Sequence, residues 1–385
     1  MTPFGINLPG RIAFGRGEAA KAPALIAGYG GRGVVVHGTD AARSAWLIAG
    51  LAGQGLAVLP LACAGEPTLA MLEGAVAAAR AHGALWVAGI GGGAVLDLAK
   101  AVAALVPAPG GAMDHLEVVG RGLPLVAAPL PFIALPTTAG TGAEATRNAV
   151  IGLPEHHRKV SLRDARMLAR LAFVDPGLTD HCPRAVTLAS GLDALVQVIE
   201  PYVSARATPF TDALARPAIG TGLAALMALM RGEDAAARDA MAWVSLSGGL
   251  ALANGGLGAV HGLAGVIGGV TGAAHGAICG ALLAPVLAAN LAACPPGSAA
   301  HRRLTEVCEI IAGLLAVPVA EAPAALGRWI AAAGLPRLSA LGLAAGDHGA
   351  VAEAALASSS MQGNPVVLPV AALRRARSRP RRKPK

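Results

Sequence analysis

One local rhythm governs the first 180 residues. Short runs rich in β-branched residues, "GVVVHG" (33 to 38), "LAVLPL" (56 to 61), "LWVAGIGGG" (85 to 93), "FIALPTTAGTG" (132 to 142) and "LAFVDPGLT" (171 to 179), are separated by amphipathic stretches such as 68 to 82. Alternating strand and helix signals predict a mostly parallel sheet covered by helices, because parallel neighbours need a crossover and a helix is the compact way to make one. Near residue 181 the rhythm stops. Long Ala- and Leu-rich stretches punctuated by Gly and Pro follow and predict an all-α second part. The expected organisation is an α/β domain over 1–180, a helical domain over 181–372 and a disordered basic tail over 373–385.

Hydrophobic residues make up 54% of the chain and charged ones 14%, so a membrane protein has to be considered first. Residues 240–301 contain no Asp, Glu, Lys or Arg, which by length would allow two spans of about 20 residues. That run is dense in Gly and Ala, however, and carries Asn254, His261, His275 and Asn290. A soluble helical core is the expectation, with no membrane partner. The start, "MTPFGINLPGRIAFGRG", lacks the basic flank and apolar centre of a secretory signal, which predicts a cytoplasmic protein. The net charge of +8 comes from the last twelve residues, "RRARSRPRRKPK"; the rest has as many acidic as basic groups. Such a tail reads as solvated chain, and no specific nucleic-acid partner is expected. Cys63, Cys182, Cys279, Cys294 and Cys308 are odd in number and have no CxxC spacing, so neither a disulfide framework nor a thiolate zinc site is indicated. They are expected as small buried apolar residues.

Two loops carry the chemistry of the first part. In "WVAGIGGGAVLDLAK", Gly91, Gly92 and Gly93 separate a strand from a helix, so backbone N–H groups can approach a phosphate while the helix directs its positive end there. The pattern is not GxGxxG. The second loop, "LPTTAGTGAE", adds the hydroxyls of Thr137, Thr138 and Thr141. Loops after parallel strands meet at the carboxyl edge of the sheet, where open α/β folds bind ligands. Outside the tail the chain uses twenty Arg and only Lys21, Lys100 and Lys159. Two of those lysines stand beside the loops, where a compact ammonium does what a guanidinium cannot.

In the second part, "DALVQ" places Asp193 and Gln197 on one helix face. They are either half of a metal site lacking a ligand or an ordinary polar pair. His261 and His275 would stand about 21 Å apart on an unbroken helix, but Gly268, Gly269 and Gly272 between them can return the chain. Two histidines in an uncharged stretch need partners; Asp193 can supply one, and a cation would satisfy all three.

Together, "GGGAVLDLAK", "LPTTAGTGAEAT", "KVSLRD…LAFVDPGLT", "GLDALVQVIEPYVS" with "FTDALA", and "GLGAVHGLAG…HGAICGALLAPVL" resemble the iron-activated (group III) alcohol dehydrogenases over about residues 8 to 366. The resemblance implies an N-terminal domain binding NAD or NADP, a helical domain holding Fe²⁺ or Zn²⁺, a cofactor in the cleft between them, and a homodimer. By position it assigns Gly91, Gly92 and Gly93 to the pyrophosphate loop, with Ala94 where many members have Ser and with Asp97 and Lys100 completing the motif. Thr137, Thr138, Thr141, Lys159 and Leu178 take the remaining cofactor contacts. Gly38 stands near the cofactor-selecting position, with no acid to repel a 2′-phosphate. Asp193, His261 and His275 match three metal ligands.

Two departures stand out. Members with four protein ligands have His where this chain has Gln197, and many have a further His where this chain has Gly265. Glycerol dehydrogenases of the same superfamily hold zinc without the former, so Gln197 is expected as a weak ligand or a partner holding water. The expected activity is metal-assisted hydride transfer between a small alcohol and its aldehyde or ketone. The alternatives are a maleylacetate-reductase-like or phospho-sugar enzyme of the same fold, a metal-free nucleotide-binding protein, and a small transporter built on the apolar run.

Overall fold

The computed structural model describes residues 3–156 and 158–375. Eight strands occur in chain order among them: β1 (Ile12–Phe14), β2 (Arg32–His37), β3 (Ala57–Ala62), β4 (Trp86–Gly91), β5 (Phe132–Pro136), β6 (Asn148–Leu153), β7 (Arg158–Arg163) and β8 (Leu171–Val174). Six form one sheet in the order β1-β8-β5-β4-β2-β3, and every pair in it is parallel. The remaining two, β6 and β7, form an antiparallel hairpin from Asn148 opposite Arg163 to Leu153 opposite Arg158. All five runs predicted as strands are strands. The additions are β1, too short to show a period, and the hairpin, whose β6 alternates buried and half-buried positions in the period-2 manner of a one-sided strand.

The parallel sheet is buried on both faces, which is why its strands read as continuous apolar runs. Val34 and Val36 of β2 enter one core with Val87, Leu72 and Leu96, whereas Val35 enters the other with Trp86, Leu47 and Ile133. The helices of this unit are α1 (Ala22–Ile26), α2 (Ala42–Gly53), α3 (Leu69–His82), α4 (Gly93–Leu105) and α5 (Ala112–His115). Thr68 caps α3 by accepting from Met71 N, and Gly83 ends it in the left-handed conformation. Because β2 has β3 on one side and β4 on the other, the strand order reverses between β2 and β4. That reversal is the switch point at which open α/β sheets take ligands, and Gly38 and Gly91–Gly93 are the residues that leave those two strands.

Contacts divide the chain between Cys182 and Pro183, two residues beyond the expected boundary. The second unit is helical among its described residues: α6 (Arg184–Val203), α7 (Pro209–Leu229), α8 (Ala235–Gly255), α9 (Ala259–Thr271), α10 (His275–Ala293), α11 (Ala299–Leu315), α12 (Ala322–Ala332), α13 (His348–Leu356) and α14 (Val370–Arg375). Every residue of α6 from Gly191 to Val203 is buried, and α7, α8 and α10 pack around it. Among the described residues one helix, α10, is by itself long and apolar enough to cross a membrane. Here it lies against α6, α9 and α12. At its closest approach to α6 a β-carbon on Gly276 would sit 2.5 Å from the Ala189 carbonyl oxygen, and one on Gly280 would meet Leu192 at 2.6 Å. At Gly276, which faces backbone, only glycine allows that approach. The expected tail beginning at 373 is shortened by α14, where Leu373 is fully buried; residues 376–385 lie outside the described residues, and so does the expectation of disorder there.

Candidate functional site

The donor cluster of the helical unit starts from one face of α6. Asp193, Gln197 and Glu200 follow at spacings of four and three, which aligns them along the helix, and all three are buried. The chain between α9 and α10 supplies the rest. Helix α9 ends at Thr271, Gly272 takes a left-handed φ of 68°, and α10 begins at His275. The expected break therefore falls at the third of the three candidate glycines, and it brings the His261 and His275 ring centroids to 5.4 Å.

At the centre, His261 Nε2 lies 3.5 Å and His275 Nε2 3.9 Å from Asp193 Oδ1. That oxygen is buried and has no hydrogen-bond partner. Gln197 Nε2 donates to the other carboxylate oxygen at 3.1 Å, while Gln197 Oε1 is also buried and unpartnered. Glu200 fixes the orientation of His261: its carboxylate accepts from Gly258 N and Val260 N at the start of α9, and its Oε2 is 2.7 Å from His261 Nδ1. With Nδ1 carrying the proton toward Glu200, the Nε2 lone pair is aimed at Asp193 Oδ1. Two lone pairs facing each other in a buried site require a positive charge between them. Without a metal ion a proton serves. Burial alone would lower the His261 pKa, but the carboxylates of Asp193 and Glu200 overcome it and raise the imidazolium to about 10. For Asp193 burial acts to raise the carboxyl, and the facing imidazoles of His275 and His261 bring it below its ordinary value. A divalent cation replaces that proton naturally, since a ligating histidine whose other nitrogen donates to a carboxylate is the usual metal arrangement. The donor set fits a metal ion.

Sequence reading missed two members. Glu200 was legible as the residue seven after Asp193 on the same face. The other is a thiol: all five cysteines are buried as expected, and one of them lies beside the cluster. Cys279 contributes a ligand atom to the group formed with Asp193, His261 and His275, all four atoms lying within 4.8 Å of one another. Gly265 faces open space, with nothing within 4 Å of a β-carbon placed there.

In the α/β unit the two predicted loops are in contact. Thr137 N donates to Gly91 O at 2.9 Å, and β-carbons on Gly92 and Gly93 would meet Thr138 at 3.3 Å and Thr141 at 2.5 Å. Helix α4 starts at Gly93 with no acidic residue in its first turn, which leaves its N-terminal N–H groups to an anion. Lys159 on β7 has a buried Nζ without a hydrogen-bond partner, 3.7 Å from Glu66 Oε2. Lys100 is placed differently. Fully buried, it donates to Ala143 O, Thr146 Oγ1 and Asn148 O at 2.7 to 2.9 Å, while Asp97 Oδ2 accepts from Val150 N. These two residues tie α4 to the second loop and the hairpin. Burial pulls the Lys100 ammonium down, and burial pushes the carboxyls of Asp97 and Glu144 up to about 6 and about 7. Gly38 is half-buried with open space where a side chain would start, and Leu178 lies in the turn Pro176–Thr179, its carbonyl accepting from Arg43 at 3.4 Å.

The sequence matches the profile of the family described as iron-containing alcohol dehydrogenase over residues 9–176, and that of the Fe-containing alcohol dehydrogenase family, C-terminal, over residues 187–373. The chain belongs to the iron-containing alcohol dehydrogenase family. A probable alcohol dehydrogenase, EutG, of Escherichia coli is 35% identical over 78% of this chain and 74% of its own length. An NAD-dependent methanol dehydrogenase of Bacillus methanolicus is 42% identical over 46% of each chain. Among solved structures, an alcohol dehydrogenase from Oenococcus oeni superposes with a TM-score of 0.86 at 27% identity, covering 97% of this chain and 99% of that one.

Proposed function

We propose that this protein is a cytoplasmic, homodimeric, NAD(P)-dependent oxidoreductase that interconverts a small alcohol and its aldehyde or ketone with a divalent metal ion. The observation that carries the reading is the unpartnered Asp193 Oδ1 facing the Nε2 atoms of His261 and His275. When bound, the ion supplies Lewis acidity to the substrate oxygen as hydride passes to or from the nicotinamide. Asp193, His261 and His275 hold it, and Glu200 keeps His261 in the tautomer that leaves Nε2 unprotonated. Gly91, Gly92 and Gly93, with the start of α4, receive the pyrophosphate, and Lys159 offers a cation to the same anion. Thr137, Thr138, Thr141 and Leu178 line the dinucleotide contact. Lys100 and Asp97 act behind it as positioning residues, holding the loops whose N–H groups bind. Gly38 leaves room for a 2′-phosphate, so both dinucleotides belong in the test.

The test is turnover of a panel of short alcohols and aldehydes with NAD⁺, NADP⁺ and their reduced forms, followed at the nicotinamide absorbance, with metal content measured on the same sample. Dinucleotide-dependent turnover that is lost on chelation and returns with added metal is the expected result. Turnover that is indifferent to chelator, in a protein holding no stoichiometric ion, would overturn it.

A further inference from the structure

We infer that Cys279 is the fourth metal donor of this site, in the role that Gln197 does not fill, and that it tilts the site toward Zn²⁺. The inference rests on the metal-assisted reading above.

Cys279 follows His275 by four residues on α10, so both side chains leave the helix on one face, next to the glycines Gly276 and Gly280 that press against α6. Cys279 Sγ is 3.5 Å from His275 Nε2. With His261 Nε2 at 3.5 Å and His275 Nε2 at 3.9 Å from Asp193 Oδ1, these separations approach the roughly 3.3–3.6 Å edges of a tetrahedron built on ordinary zinc–nitrogen, zinc–oxygen and zinc–sulfur bonds. A second observation points to the same place: Asp193, 1% exposed, directs there an oxygen that has no partner at hydrogen-bond geometry. Gln197 already engages Asp193 Oδ2 through its amide nitrogen and has only a neutral amide oxygen left to offer.

Charge favours the thiol too. On metal binding the Cys279 S–H proton leaves to solvent and the sulfur donates as thiolate, so two anionic and two neutral donors face a divalent ion. A thiolate in place of a neutral nitrogen donor makes the set softer, which favours Zn²⁺ over Fe²⁺.

The test is a titration of metal-free protein with Co²⁺, a zinc surrogate whose bonds to thiolate give intense near-ultraviolet charge-transfer absorption. The wild type should develop that band to saturation at one ion per chain, and Zn²⁺ should bleach it. Cys279→Ser should lose the band and bind Zn²⁺ about a hundredfold more weakly by competition with a chromophoric chelator. Adding Gln197→His to Cys279→Ser should restore affinity without restoring the band. One ion bound by the wild type with no charge-transfer band, or unchanged Zn²⁺ affinity in Cys279→Ser and Cys279→Ala, would remove Cys279 from the set and leave the metal-assisted reading intact. No stoichiometric Co²⁺ or Zn²⁺ in the wild type would overturn both. The wild-type band is the deciding readout, because it does not depend on any variant folding.

Discussion

Lys100 in the α/β unit and Asp193 in the helical unit are both withdrawn from solvent, 0% and 1% exposed, yet their surroundings treat them in opposite ways. Three acceptors take the ammonium hydrogens of Lys100, and Asp97 stands 3.8 Å away. Asp193 has one oxygen paired with Gln197 and the other left bare before two imidazoles. A buried polar group without a partner costs about 1–3 kcal/mol, more when charged, so a fold keeps one only where something else completes it. The contrast separates a charge that holds the structure together from one reserved for a ligand.

The largest expected effect breaks the second half of that comparison. Asp193→Ala should empty the metal site by elemental analysis and lower turnover by about three orders of magnitude, since several kcal/mol of charge stabilisation at the substrate oxygen go with it. The carboxylate also pairs with the charges of His261 and His275, so at neutral pH the metal-free variant should melt somewhat below the metal-free wild type in calorimetry. A stoichiometric ion in Asp193→Ala would show that the cluster does not need it.

Lys100→Met tests the other half. Removing the ammonium strands Ala143 O, Thr146 Oγ1 and Asn148 O, and should cost about 3 kcal/mol, read as a drop in Tm of roughly 10 °C. Metal content should stay at the wild-type level. If stability is unchanged while dinucleotide affinity collapses, Lys100 belongs to the ligand and not to the scaffold.

The smallest effect sharpens the boundary between the two classes. Glu200→Gln keeps an acceptor for the start of α9 but removes the charge that orients His261, so Zn²⁺ affinity should fall about tenfold in chelator competition. An affinity unchanged within twofold would place Glu200 with Lys100, as a group that serves the fold alone.

The same contrast explains what could be read from the sequence. The dinucleotide loops are contiguous: Gly91–Gly93 and Thr137–Thr141 announce themselves because a close backbone approach needs glycine and both loops follow parallel strands. Asp193, His261 and His275 came from wording shared with a family, and the glycines at 268, 269 and 272 allowed the chain to return between the two histidines. Spacing along one helix could have offered Glu200. Spacing from His275 could likewise have offered Cys279; what it could not show is the approach of α10 to α6 through Gly276 and Gly280, which brings that thiol to Asp193. The burial of Lys100 was hidden for a similar reason, since its three acceptors lie 43 to 48 residues away on the hairpin and its approach.

The apolarity of α10 has a consequence for how the chain is made. A helix of this length and hydropathy, released first from a ribosome, would be open to capture by a bilayer or by other unfinished chains. It is synthesised after α6, α7 and α8, which pack on one another and can be in place before residue 275 emerges. The order of the helices along the gene therefore works as a timetable: the most adhesive segment appears after α6, α7 and α8, which can already offer it a surface, α12 covers it afterwards, and the last histidine and the cysteine of the cluster arrive with it.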